Sequence, residues 1–290
     1  MFSLRIHADN HRLASLEEIL LACGACSISV EDAADDPIFE PPIGDHPIWP
    51  NIFLHAFFIE EQALQLATKA LENKLPAQTP IVAKQIEEED WQAKFQQQFS
   101  AKKYGDQLWV YPSWAENPSP EGISIKLDPG LAFGTGHHPT TDLCLSWLSN
   151  YPLNDKTVLD FGCGSGILAL AACKLGAQHT YAIDIDPQAH LATRSNIESN
   201  QLNNELFSVG TINIMEGIST DVIIANILAK PLLDLRDTLN NHLNQNGILV
   251  LSGILSTQVE IIMNSYTSMF DNLEIKTSED WACLVFKPKH

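Results

Sequence analysis

The sequence predicts an α/β protein of two domains, a small ferredoxin-like βαββαβ module followed by a doubly wound, mostly parallel sheet. Three observations carry this. Residues 1 to 88 alternate apolar and polar positions in four short runs separated by two helical stretches. From Tyr104 onward, strands alternate with helices, as parallel sheets require. A 290-residue chain with 45% apolar residues is long enough for two ordinary domains with full cores.

Taken in order, SLRIHA is the first strand, HRLASLEEILLACG a helix and ACSISVED the second strand. After an acidic, proline-rich loop, NIFLHAFFIEE is the third strand, EQALQLATKALENKL the second helix and PIVAKQIEEED the last strand. This module, residues 1–88, carries no reactive constellation, so binding or support is its expected role. DWQAKFQQQFSAKK spaces Trp91, Phe95 and Phe99 four apart, predicting a linker helix over 89–103 with one apolar stripe. Residues 104–290 form the second domain. There TVLDFG is a strand, GILALAACKLG a helix closed by Gly176, and HTYAIDID the next strand. Asp186-Pro187 starts the following helix with a capping carboxylate and a proline at its first position. STDVIIANIL, GILVLSGIL, LEIKTSED and WACLVFKPK are further strands, the last two paired antiparallel.

Lys and Arg number 17 against 36 Asp and Glu, a net charge of −19 that repels a phosphate backbone and suits a basic protein partner. No nucleic-acid substrate is expected. The start, MFSLRIHADN, is not a secretion signal, and no apolar run reaches membrane-spanning length, so the chain is expected to be cytoplasmic and to have no membrane partner. Of the six cysteines only Cys23 and Cys26 lie close in sequence. Flanking Gly24 between a helix and a strand, they read as small buried hydrophobes rather than a redox or metal pair.

Two segments carry the chemistry. In Asp160-Phe-Gly162-Cys-Gly164-Ser-Gly166 the glycines follow a strand and open a helix, so that backbone N–H groups face a ligand. A dinucleotide fingerprint counted from Gly162 needs glycine at 167, where Ile167 stands. Glycines at every second position suit a cofactor without a pyrophosphate, such as S-adenosylmethionine. Asp184, at the end of the next strand, can accept both ribose hydroxyls. Asn226, closing the strand DVIIAN, is expected at the carboxyl end of the sheet beside the reactive methyl, where it is the candidate catalytic residue.

LDPGLAFGTGHHPTTDLCLSWL, residues 127–148, is a glycine-rich loop running into an apolar helix. Together LDPGLAFGTGHHPTT, LDFGCGSGILALA, AIDIDPQA and ANILA closely resemble the PrmA family, the methyltransferases of ribosomal protein L11, over the whole chain. The resemblance implies a class I methyltransferase domain of Rossmann-like fold. It also implies trimethylation of lysine side chains and of the N-terminal amine of that basic ribosomal protein, with the front module recognising the substrate. Carried across residue by residue, it implies cofactor contacts at Thr141, Gly162, Asp184 and Asn226. The loop from Gly130 to Thr141, with Phe133, Gly134, Thr135 and Gly136, would cover the methionine end while Gly164 and its neighbours support it from below. His138 matches the family pattern GTG-x-H-x-TT and should shape the loop, with His137 exposed. Without further ligands nearby the two histidines are not expected to bind metal.

Methyl transfer from a sulfonium is an in-line displacement, so positioning of the amine lone pair is the main demand on the protein. A junction near residues 88–103 that lets the front module present several amines is expected, as is a monomer. Two other readings compete. A methyltransferase of planar nitrogens would want an aromatic after Asn226, where Ile227 stands. A non-catalytic adenosylmethionine-binding scaffold that assists ribosome assembly is separated from both only by measuring methyl transfer.

Overall fold

The computed structural model describes residues 1–34, 47–76, 79–86, 99–128 and 138–289. The chain divides into two compact units, 1–91 and 92–290.

In the first unit, β1 (Phe2–Asp9), α1 (Leu13–Ala22), β2 (Ser27–Asp32), β3 (Asn51–Phe58), α2 (Glu61–Glu72) and β4 (Ile81–Gln85) build a ferredoxin-like antiparallel sheet of order β2-β3-β1-β4. Alternation does the work. Leu4, Ile6 and Ala8 of β1 and Ile52, Leu54, Ala56 and Phe58 of β3 point to one face and are buried with Leu16 and Leu20 of α1 and Leu64, Ala67 and Leu71 of α2. Gly24 ends α1 at φ +95, the left-handed conformation that a glycine adopts without strain. The two nearby cysteines are less buried than their sequence context suggests. Cys26 is exposed at the start of β2, bonded through its thiol to the Phe57 carbonyl, and Cys23 is half-buried. Cys23 still packs against the edge of the front core.

Residues 89–98 of the expected linker helix lie outside the described residues. Its end is corrected: Lys102 and Lys103 belong to β5 (Lys102–Tyr104), which a short turn pairs antiparallel with β6 (Leu108–Tyr111). With β7 (Ile123–Lys126) these make a separate three-stranded sheet, not the strand–helix alternation expected from Tyr104.

The main sheet of the second unit has the order β10-β9-β8-β11-β12-β14-β13. Its elements are α3 (Pro139–Asn150), β8 (Thr157–Phe161), α4 (Ile167–Lys174), β9 (His179–Ile183), α5 (Pro187–Ser199), β10 (Phe207–Gly210), β11 (Thr220–Asn226), α6 (Ala229–Asn241), β12 (Leu243–Leu255), α7 (Val259–Tyr266), β13 (Phe270–Ser278) and β14 (Trp281–Pro288). The first five strands of that order run parallel and the last two pair antiparallel. Both faces are covered. Val222, Ile224 and Val250 pack with α3 and α4, whereas Ile223, Leu249 and Leu251 pack with α6 and α7, so the middle strands read as unbroken apolar runs. No helix among the described residues is long and apolar enough to cross a membrane.

Candidate cofactor and methyl-transfer site

The direction of the parallel strands brings the ends of β8, β9 and β11 to one edge, where a doubly wound sheet forms its ligand crevice. After β8 the chain makes the turn 162–166 with Gly162, Gly164 and Gly166 at φ +77, +53 and +77. Each lies in the region that side chains disfavour, which explains the spacing of the glycines. Space demands two of them as well. A Cβ on Gly162 would lie 2.4 Å from Ile227 Cγ2, and one on Gly166 2.7 Å from the Thr193 side chain.

The turn is fastened from three sides. The N–H groups of Gly162 and Cys163 donate to the Ile183 carbonyl at 2.8 and 3.0 Å. From α5, Thr193 Oγ1 donates to the Gly164 carbonyl and Asn196 Nδ2 to that of Ser165. Beneath it Asp160 is buried, and its Oδ2 accepts from the Ala169 N–H in the first turn of α4. Its Oδ1 has no hydrogen-bond partner among the described residues. Burial, reinforced by the field of Asp184 and opposed by the bond from Ala169, pushes the Asp160 carboxyl up to about 7.

Asp184 follows β9. Its Oδ2 accepts from the Gly164 N–H at 3.0 Å and its Oδ1 from the Asp186 N–H at 2.9 Å. The expected ribose acceptor is therefore also the brace between the glycine turn and the start of α5. A carboxylate offers about four lone-pair sites, so two such bonds leave it able to accept more. Asp186 caps α5 by accepting from the Gln188 N–H, with Pro187 first in the helix, as its sequence suggests. Between the two carboxylates the Ile185 side chain is 96% exposed, an apolar surface beside a hydrogen-bond acceptor at the end of a strand.

Asn226 is the last residue of β11, and its Nδ2 donates to Thr141 Oγ1 of α3 at 3.3 Å. Two residues 85 positions apart in sequence thus meet at the crevice. His138 caps α3: its Nδ1 accepts from the Thr140 N–H and lies 2.7 Å from the Thr140 hydroxyl, and its ring meets Trp281 edge-on at 4.9 Å. Burial lowers the His138 pKa, against the fields of Glu279 and Asp142, so the ring stays neutral near pH 7. Ser252 of β12 reaches the Thr140 and Ala282 carbonyls with its hydroxyl. Asp142 is bonded by Lys102 and by the Tyr104 hydroxyl. Thr141, Gly162, Gly164, Asp184 and Asn226 thus stand together, whereas Gly130, Phe133, Gly134, Thr135, Gly136 and His137 lie outside the described residues.

Sequence reasoning passed over Ser252 and Gly253. A Cβ on Gly253 (φ +80) would lie 2.4 Å from the Ile227 carbonyl oxygen, so this glycine lets β12 press against the backbone that follows Asn226. A glycine inside an apolar strand is the signal that could have found it. No cluster of three or more histidines, cysteines or acidic residues placed to hold a metal occurs among the described residues.

The residues present fit S-adenosylmethionine. A turn of bare backbone suits its amino-acid end, an acidic strand end its ribose, and the exposed Ile185 its adenine face. The fold and this site define a class I, Rossmann-like methyltransferase that uses S-adenosylmethionine and acts on protein. Residues 1–289 match the family model described as ribosomal protein L11 methyltransferase (PrmA), and the chain belongs to that family. A ribosomal protein L11 methyltransferase of Cellvibrio japonicus (strain Ueda107) is 42% identical over 285 residues, 97% of this chain and 96% of that protein. That of Histophilus somni (strain 129Pt) is 43% identical over 286 residues, 98% and 97% of the two chains. Among solved structures, a ribosomal protein L11 methylase from Lactobacillus delbrueckii subsp. bulgaricus superimposes with a TM-score of 0.60 at 32% identity, over 66% of this chain and all of that one.

Proposed function

We propose that this protein trimethylates lysine side-chain amines and the N-terminal amine of ribosomal protein L11, with the front unit presenting the substrate. The observation that carries this reading is a family match running through both units, 1–289, rather than through the methyltransferase unit alone.

In this reading the cofactor supplies a sulfonium-bound methyl group, and the chain's own residues hold it and orient the amine. Gly162 and Gly164 would give close backbone approach, Asp184 would accept from the ribose, and Thr141, with Phe133, Gly134, Thr135 and Gly136, would contact the methionine end. Asn226 is the catalytic residue. With its nitrogen donated to Thr141, its amide oxygen is the atom it offers to the N–H of an incoming amine. That contact aligns the lone pair for in-line attack. A lysine ammonium, ordinarily titrating near about 10.4, must first lose its proton, which a desolvated crevice favours. The enzyme acts as a cytoplasmic monomer and methylates no nucleic acid. Its six cysteines, all unpaired, suit a reducing compartment, and Ile227 offers a planar base no stacking surface.

Intact-mass spectrometry of L11 incubated with enzyme and S-adenosylmethionine, in the presence of other ribosomal proteins and RNA, tests the reading. Steps of methyl mass on L11 alone are expected, up to three per modified amine. With Asn226→Ala they should appear on the order of a hundredfold more slowly. Methyl groups on the competitors would end the substrate assignment, and an unimpaired Asn226→Ala enzyme would end the role given to that residue.

A further inference from the structure

Three ties set the first turn of α3. His138 caps it through the Thr140 N–H, and the Ser252 hydroxyl reaches the Thr140 carbonyl. The third is Asp142. Its Oδ1 accepts from the Tyr104 hydroxyl at 2.8 Å and its Oδ2 from the Lys102 ammonium, both on β5, 38 and 40 residues back in sequence. Tyr104 is 2% exposed, and the centre of its ring lies 5.6 Å from the Lys102 ammonium, within reach of a cation–π attraction. Burial, and then the charge of Asp142, raises the Tyr104 pKa, so the phenol keeps its proton and donates. An acidic residue in the first turn of a helix is favoured by the helix end alone, which requires neither a buried phenol nor a lysine. Here two donors from another element grip the carboxylate, while its neighbour in the chain, Thr141, accepts from Asn226.

We infer that Asp142 is a positioning residue of the methyl-transfer site, acting through Thr141 on the orientation of the Asn226 amide; this rests on the role proposed for Asn226. Successive helical side chains point about 100° apart, so Asp142 meets β5 while Thr141 meets β11. Holding the one fixes the rotation of the turn that presents the other. The tolerance is small. At 3.3 Å the bond between Asn226 and Thr141 already stands at the long end of the useful range. A rotation of about 15° would carry a hydroxyl about 4 Å from the helix axis through about 1 Å, enough to break it. An amide released in this way turns about its last torsion. With Nδ2 in place of Oδ1 toward the substrate, it donates to the amine lone pair, which must stay unshared to attack the methyl. Misplacement by about 1 Å at a reacting group costs up to about a hundredfold in rate.

The test is a double-mutant cycle on methyl transfer to L11 at saturating S-adenosylmethionine, with Asp142→Ala and Asn226→Ala made singly and together. Asp142→Ala should lower kcat about tenfold and leave KM for L11 within about twofold, the pattern of an interaction that counts only in the transition state. In the Asn226→Ala background the same substitution should change kcat by less than about twofold, because the amide it orients is gone. Tyr104→Phe keeps the buried ring and removes one donor, and it should repeat both results at about threefold. It carries the cycle alone if Asp142→Ala does not fold. A merely stabilising Asp142 would lower Tm and leave kcat unchanged below the transition, or lower kcat equally in the two backgrounds. Either outcome overturns the inference and leaves Asn226 its role. An Asn226→Ala enzyme as fast as the parent would remove that role, and the inference with it.

Discussion

The two sheets of this protein solve burial differently. In the front sheet β1 and β3 alternate, so that one face is packed and the other carries Arg5, His7, Phe53 and His55. In the main sheet Val222, Ile223, Ile224 and Ala225 are all fully buried, because helices lie on both faces. A sheet covered on both sides has only its edge left for a ligand, and parallel strands send their ends to the same edge. Site location thus follows from how many faces the sequence leaves polar.

Independent cores make the first way to test this contrast. Leu54→Ala empties part of the front core and should cost about 2–5 kcal/mol in the unfolding of that unit. Cofactor affinity, measured by calorimetry below the transition, should not move; a parallel loss of affinity would show that the units do not separate as their cores do.

The next effect is electrostatic and belongs to the main sheet alone. Asp160 has a folded-state pKa of about 7 against 3.8 for the free group, so between those pH values the folded state holds the extra proton. Stability contributed there is present in acid and lost as pH rises through the window, by up to roughly 4 kcal/mol for three units. Asp160→Asn removes the titration. Urea unfolding of the variant should lack this decline between about pH 4 and 7, and parallel profiles for the two proteins would contradict it.

A smaller effect sharpens the role of the sheet's edge. Asp184→Ala removes an acceptor that braces Gly164 and, in the proposed site, receives the ribose. Cofactor affinity should fall by about 2–3 kcal/mol, since hydrogen bonds to a charged group are being lost. Unchanged calorimetric affinity would leave Asp184 as a structural brace only.

Much of this was readable in the sequence because it rests on local chemistry. The positive φ angles at Gly162, Gly164 and Gly166, the cap at Asp186 with Pro187 behind it, and the strand ending at Asn226 all follow from residue type and spacing over a few positions. The three-stranded sheet of residues 102–126 was not legible. Its strands of three and four residues are too short to show a period. The linker helix was drawn too far for the same reason, since Lys102 and Lys103 are polar in either setting and only pairing with Val110 and Trp109 makes them a strand.

By itself, then, the sequence determined the alternation that gives each sheet its covered faces, the glycines a cofactor turn demands and the motifs of its family. Only the tertiary structure decided that Asn226 meets Thr141, that Asp184 also holds the Gly164 N–H, and that Gly253 must be bare beneath Ile227. Each of these joins segments 20 to 85 residues apart, and such a contact is fixed by how strands order and helices pack, which no local preference encodes.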